Sequence, residues 1–110
     1  MTKIKKTEHI VVFITVADEE EARLISRVLL KQRKVACSNI IPAINSLFWL
    51  QEKIDSAHES LLVIKTKAAL LDEVTQLVKE IHSYDVPEII ALPIIGGNQD
   101  YLEWIDSKTD

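Results

Sequence analysis

A single cysteine, Cys37, is too few for an internal disulfide, so the fold is expected to hold without oxidative stapling. Two glycines and three prolines leave little material for linkers, and most of the chain should lie in helices and strands. No apolar run approaches the roughly 20 residues that span a bilayer, which argues against a membrane protein. Charge of one sign is not concentrated either: 13 Lys and Arg stand against 17 Asp and Glu, for a net charge of −4. No basic cluster is long enough to follow a phosphate backbone. Lys3, Lys5 and Lys6 lie near the N-terminus, and Lys31, Arg33 and Lys34 close a predicted helix, whose dipole they complement. Nucleic acid is therefore not an expected partner. Only a short apolar run, with no cleavage pattern, follows Glu8 and His9. That start does not read as a signal peptide, and the cytoplasm is the expected compartment.

What is present suits one compact domain. The 110 residues are 47% apolar and 27% charged, and they read as a single domain over 1–110 with an ordered core over about 8–106. His9 to Val16 is a β-branched run without helical spacing, the mark of a strand buried on both faces. Asp18 with Glu21 three places on can cap a helix start, and Ala22, Ile25, Val28 and Leu29 give that helix one apolar face to about Gln32. Val35 to Leu50 and Ile54 to Thr66 are two long β-rich stretches with the short polar segment Gln51-Glu52-Lys53 between them. Leu70, Leu71, Val74, Leu77, Val78 and Ile81 recur at three and four and predict a second helix. Val86 to Ile95 predicts a fourth strand, and Pro87 and Pro93 place it at a sheet edge. After Gly96 and Gly97, residues Tyr101, Leu102, Trp104 and Ile105 suggest a short closing helix.

Strand, helix, strand, strand, helix, strand is the split βαβ order, so the fold class is α+β, a ferredoxin-like βαββαβ sandwich with a long central hairpin and a short C-terminal helix. Right-handed crossovers put the first and third strands at the centre of the sheet. The hairpin is oversized for such a domain. Arms of about fourteen residues reach about 45 Å, whereas a domain this size is only about 35 Å across. The overhang carries Leu47, Phe48, Trp49, Leu50 and Ile54, which would make an aggregation-prone edge in water. Pairing with further copies of the chain covers them; a bend at Pro42 that folds the tip back is the other solution.

Charged residues in apolar company mark a possible ligand cleft. Lys65 shares a strand face with Glu59, Leu61 and Val63, and a buried ammonium there needs Glu59 or a neighbouring subunit's carboxylate as partner; otherwise Lys65 reaches solvent at the strand end. Tyr84, Asp85 and Glu88 cluster around Pro87; the bland reading is that they only cap and bond the loop. His9 and His58 read as surface residues. No nucleophile stands beside a base, and no glycine loop cradles a phosphate, so an enzyme is not expected.

A resemblance completes this reading. Ala36-Cys37-Ser38-Asn39-Ile40-Ile41-Pro42, Ser46, Lys53-Ile54, Glu59, Lys65-Thr66, His82-Ser83-Tyr84-Asp85-Val86-Pro87-Glu88-Ile89 and Tyr101-Leu102-Glu103-Trp104 resemble, in order and spacing, the CutA divalent-cation tolerance family. The resemblance implies a homotrimer built by strand pairing between subunits and a link to copper or another divalent metal, with no cofactor required. It also implies an alternative, because the architecture is similar to PII signalling proteins: a small-molecule sensor with a ligand cleft between subunits. Thiolate and imidazole suit copper, so His82 and Cys37 are the metal candidates. Topology separates them by about 15 Å within one chain. The competing readings are a small buried hydrophobe for Cys37 and a helix-end residue for His82. Some family members have a cysteine and a second histidine at the positions of Ile14 and Ile81. The family commonly has proline at the position of Ser83, Glu or Gln at that of Asp85, and glycine at that of Glu52; the last puts the hairpin turn type in question.

Overall fold

The computed structural model describes residues 8–110; Lys3, Lys5 and Lys6 lie outside the described residues. Four strands and three helices follow in the expected order: β1 (His9–Val16), α1 (Glu19–Lys31), β2 (Cys37–Leu50), β3 (Lys53–Lys67), α2 (Leu71–Ile81), β4 (Ile89–Pro93) and α3 (Gln99–Lys108). The strands form one antiparallel sheet in the order β2-β3-β1-β4, with the first and third strands central. No helix among the described residues is long and apolar enough to cross a membrane.

The period of two divides the sheet into unlike faces. Ile10, Val12, Ile14 and Val16 of β1 and Leu62 and Ile64 of β3 point to the helical layer and meet Ala22, Ile25 and Leu29 of α1 and Val74 and Val78 of α2. That cluster is the core. The other face carries Val11, Phe13, Leu61, Val63, Ile90 and Leu92, and α3 packs at one end of it. Ile105 is the buried residue of α3. Polar contacts tie the end of α3 and the residues after it to the body: His9 Nε2 to Asp106 at 2.8 Å, Lys67 Nζ to the Thr109 carbonyl at 3.5 Å and Lys34 Nζ to Asp110 at 3.5 Å.

Helix termini follow local chemistry. Asp18 caps α1 by accepting from the Glu21 amide at 2.8 Å. At the far end Arg33 adopts φ 61, and the amides of Arg33 and Lys34 bond the carbonyls of Leu30 and Leu29. This is the Schellman closure, made with arginine where glycine is usual. A single 3₁₀ turn, Ala68–Leu70, leads into α2.

Three expectations need correction. The fourth strand is Ile89–Pro93, shorter than Val86 to Ile95, because Pro87 cannot donate to a ladder and holds the chain outside the sheet. His9 is not a surface residue: it is buried, and Asp106 holds its ring. At the hairpin tip, Leu50 pairs with Lys53, so the turn has two residues, and the positive φ of 56 falls on Gln51, not on Glu52. The missing glycine at Glu52 is thus no obstacle, since Glu52 does not take the left-handed conformation.

The hairpin overhangs as its length requires. Its arms have 14 and 15 residues, and the radius of gyration of 15.0 Å exceeds the roughly 13 Å of a compact domain this size. Pro42 does bend β2, but only as a bulge: the register shifts between Ile41 and Ile44, and Ser60 on the opposing arm donates its hydroxyl to the Pro42 carbonyl at 2.8 Å. The tip does not fold back. Leu47 is 77% exposed, Trp49 71% and Ile54 66%, with Phe48 and Leu50 also exposed.

Candidate functional site

Where β1 ends and α1 begins, the loop after α2 is tied down by polar contacts from three elements. His82 follows α2, and its side chain is fully buried. Its Nε2 lies 2.8 Å from the Thr15 carbonyl, which can only accept, so Nε2 carries the proton. Nδ1 then accepts from the Tyr84 amide at 3.0 Å. Both ring nitrogens are used, and the imidazole is left with no free lone pair. Ser83 is held by α1: its amide and hydroxyl donate to Glu21 at 2.7 and 2.9 Å. Glu21 also accepts from the Ala17 amide at 2.9 Å. Burial alone would push the Glu21 carboxyl up, but the bonds from Ala17 and Ser83 outweigh it and hold the group below its ordinary value.

Tyr84 closes the network toward the sheet. Its ring packs against His82 with centroids 4.8 Å apart, and its hydroxyl donates to Glu59 at 2.9 Å. Burial first, and the Glu59 carboxylate second, push the phenol up to about 12. Glu59 itself is only 8% exposed.

Of the expected cleft residues, the structure therefore joins Glu59 and Tyr84. Asp85 and Glu88 are exposed on the following loop. Lys65 is elsewhere: six residues further along β3, about 20 Å at 3.3 Å per residue. Its ammonium contacts Asn39 Oδ1 and lies 3.9 Å from Cys37 Sγ, not beside Glu59. The in-chain pairing of Lys65 with Glu59 is thereby corrected; strand geometry forbids it.

His82 and Cys37 stand apart within one chain, as their topology requires. Cys37 stands opposite Lys65, while Thr15, the anchor of His82, stands opposite Leu61. Four residues of strand separate them, about 13 Å. With both His82 nitrogens engaged, His82 and Cys37 do not fit one metal ion within a chain. Among the described residues no three His, Cys, Asp or Glu side chains gather at metal-binding distance. Cys37 is half-buried under α3 and lies against Tyr101, whose phenol is pushed up by burial and by the neighbouring thiol. His58 is exposed on the hairpin, as expected.

Glu21 was legible only as a helix cap. Its second role, anchoring Ser83 from 62 positions away in the chain, left no periodic or motif signal. The interface candidates Leu47, Phe48, Trp49, Leu50 and Ile54 all lie on the overhang, and shallow concavities follow the same hairpin, one lined by Asn45, Leu47, Ser56 and His58.

Comparison with known proteins agrees with this architecture. Residues 10–108 match the family model described as CutA1 divalent ion tolerance protein. The chloroplastic protein CutA 1 of Oryza sativa is 46% identical over 100 residues, covering 91% of this chain and 56% of that protein. This chain thus spans little more than half the length of that relative. The divalent-cation tolerance protein CutA of Thermus thermophilus is 42% identical over 99 residues, covering 90% of this chain and 96% of that protein. Among solved structures, CutA1 from Oryza sativa superposes with a TM-score of 0.92 at 44% identity, covering 94% of this chain and 95% of that one.

Proposed function

The chain belongs to the CutA1 divalent ion tolerance family, and from that premise we propose that it serves divalent-cation tolerance as a non-catalytic homotrimer. The observation that carries this reading is the hairpin. An edge bearing Leu47, Trp49, Leu50 and Ile54 in water invites strand pairing with any passing chain. Head-to-tail pairing with further copies satisfies the open β2 edge and covers these side chains, and such pairing closes into a ring when the rotation allows. The working surface then lies where one subunit's overhang meets the next. Any copper or other divalent ion is held at that junction, not by His82 and Cys37 of a single chain.

Two measurements test the reading. Native mass spectrometry should give a species of about 37.5 kDa, three times the 12.5 kDa chain; a monomer at all concentrations overturns the trimer. Titration of the purified protein with cuprous and divalent ions should reveal a saturable site, and the absence of saturation would rule out direct metal binding. Because His82 has no free nitrogen, His82→Ala should change stability more than metal affinity.

A further inference from the structure

Outside the core, β3 carries two charges that no opposite charge among the described residues neutralises. Glu59 is buried, and the polar contact its carboxylate makes is the Tyr84 hydroxyl. A phenol O–H supplies a hydrogen bond but no counter-charge. Among the described residues no ammonium, guanidinium or imidazole nitrogen stands at ion-pair distance from Glu59. Lys65 is half-buried: its ammonium touches the Asn39 amide oxygen and the Cys37 thiol, and among the described residues no carboxylate is at ion-pair distance. A charge taken out of water without an opposite charge is costly, and a dry apolar surround makes it costlier.

The two groups share one face of β3, at either end of the apolar pair Leu61 and Val63. This is the sheet face that α1 and α2 leave uncovered, with α3 packed on the end of it nearer Lys65. Glu59 is also the residue where the body gives way to the overhang, since on β3 every residue from Lys53 to Ser56 is exposed. Separated by about 20 Å, the two charges cannot meet within one chain. Opposite charges at opposite ends of one apolar stripe are matched in a head-to-tail ring, one end by each of the two neighbouring copies.

We propose that Glu59 of one subunit pairs with Lys65 of the next, so that each junction between copies contains one carboxylate and one ammonium contributed by different chains. This rests on the oligomer proposed above and adds its register: the apolar pair Leu61 and Val63 of one copy is covered, and the charge at each of its ends is matched. Tyr84 then orients the Glu59 carboxylate, and Asn39 the Lys65 ammonium, toward the neighbouring chain.

The test is a double-mutant cycle on the full chain, reading the rate of subunit exchange between ordinary and isotope-labelled oligomers by native mass spectrometry. Glu59→Gln and Lys65→Met should each speed exchange at least tenfold, and the double variant should exchange no faster than the faster single one, because the same pair is lost once. Multiplying effects in the double variant overturn the pair, as does exchange unchanged in both singles. Should Glu59→Gln disturb the fold around Tyr84, Lys65→Met decides alone: Lys65 lies outside the core, and exchange unchanged in that variant overturns the proposal. A wild-type chain that is monomeric overturns the trimer and the pair together; a wild-type oligomer indifferent to both substitutions overturns the pair only.

Discussion

The two halves of the β2–β3 hairpin are built from similar residues and have opposite fates. In the inner half, Leu62, Ile64 and Thr66 are fully buried beneath the helical layer. In the outer half, Leu47, Trp49 and Ile54 are equally apolar or larger and stand in water. The ladder runs unbroken through both, apart from the bulge at Pro42. Hydrogen bonding therefore does not distinguish them; what distinguishes them is whether a second layer exists to receive the side chains. Burial of the inner half stabilises the subunit, and burial of the outer half is left for assembly. Strand propensity alone says nothing about which of the two a residue will do.

Substitutions in the two halves should separate these roles. The largest effect is expected inside: Leu62→Ala should lower the denaturant stability of the subunit by about 2–5 kcal/mol through lost transfer energy and a cavity. Trp49→Ala should leave the secondary structure intact yet weaken association by about 2 kcal/mol or more per junction, as large aromatic anchors do. Light scattering over a dilution series reads this, and a subunit that unfolds instead would erase the distinction between the halves. Tyr84→Phe, at the base of the overhang, should cost about 1.5–3 kcal/mol, because a buried carboxylate loses a hydrogen bond.

Tyr84 also sets a pH dependence. Its folded phenol is pushed up to about 12, so an unfolded chain loses that proton first as the solution becomes alkaline. The contribution is fully present below the ordinary value near 10 and disappears as pH rises toward about 12. Denaturation curves across that window should show an alkaline loss that Tyr84→Phe lacks. At the seam between the halves, Ser60→Ala removes the hydroxyl bonded to the Pro42 carbonyl and should cost about 1 kcal/mol. The smallest change is at the tip. Gln51→Gly should stabilise the hairpin by about 0.5–1 kcal/mol by relieving the left-handed backbone, read as a raised denaturation midpoint.

Much of the fold was legible residue by residue. The β-branched run from His9 to Val16, the three-and-four spacing of Leu70 to Ile81 and the cap at Asp18 each encode their element locally, and the observed elements follow them. Pro87 misled the reading of β4, because a proline at a strand entry looks the same whether it begins the ladder or keeps the chain outside it. The site was less legible. Glu59 and Tyr84 each stand out as polar residues in apolar company, but their hydrogen bond joins residues 25 positions apart, and Lys65 shares only a strand face with Glu59. Strand spacing alone sets Lys65 about 20 Å from Glu59, whereas no local spacing says which residue of another element reaches Glu59.

The amino-acid sequence by itself determined the element order, the two amphipathic helices, the length of the hairpin and the apolar character of its overhang, since all of these are written in neighbouring residues. Only the tertiary structure decided that Glu21 anchors Ser83, that both His82 nitrogens are consumed by the backbone, and that the Tyr84 hydroxyl reaches Glu59. Those outcomes depend on distances between elements distant in the chain. Such distances follow from how the sheet and helices pack, and no local pattern of residues carries them.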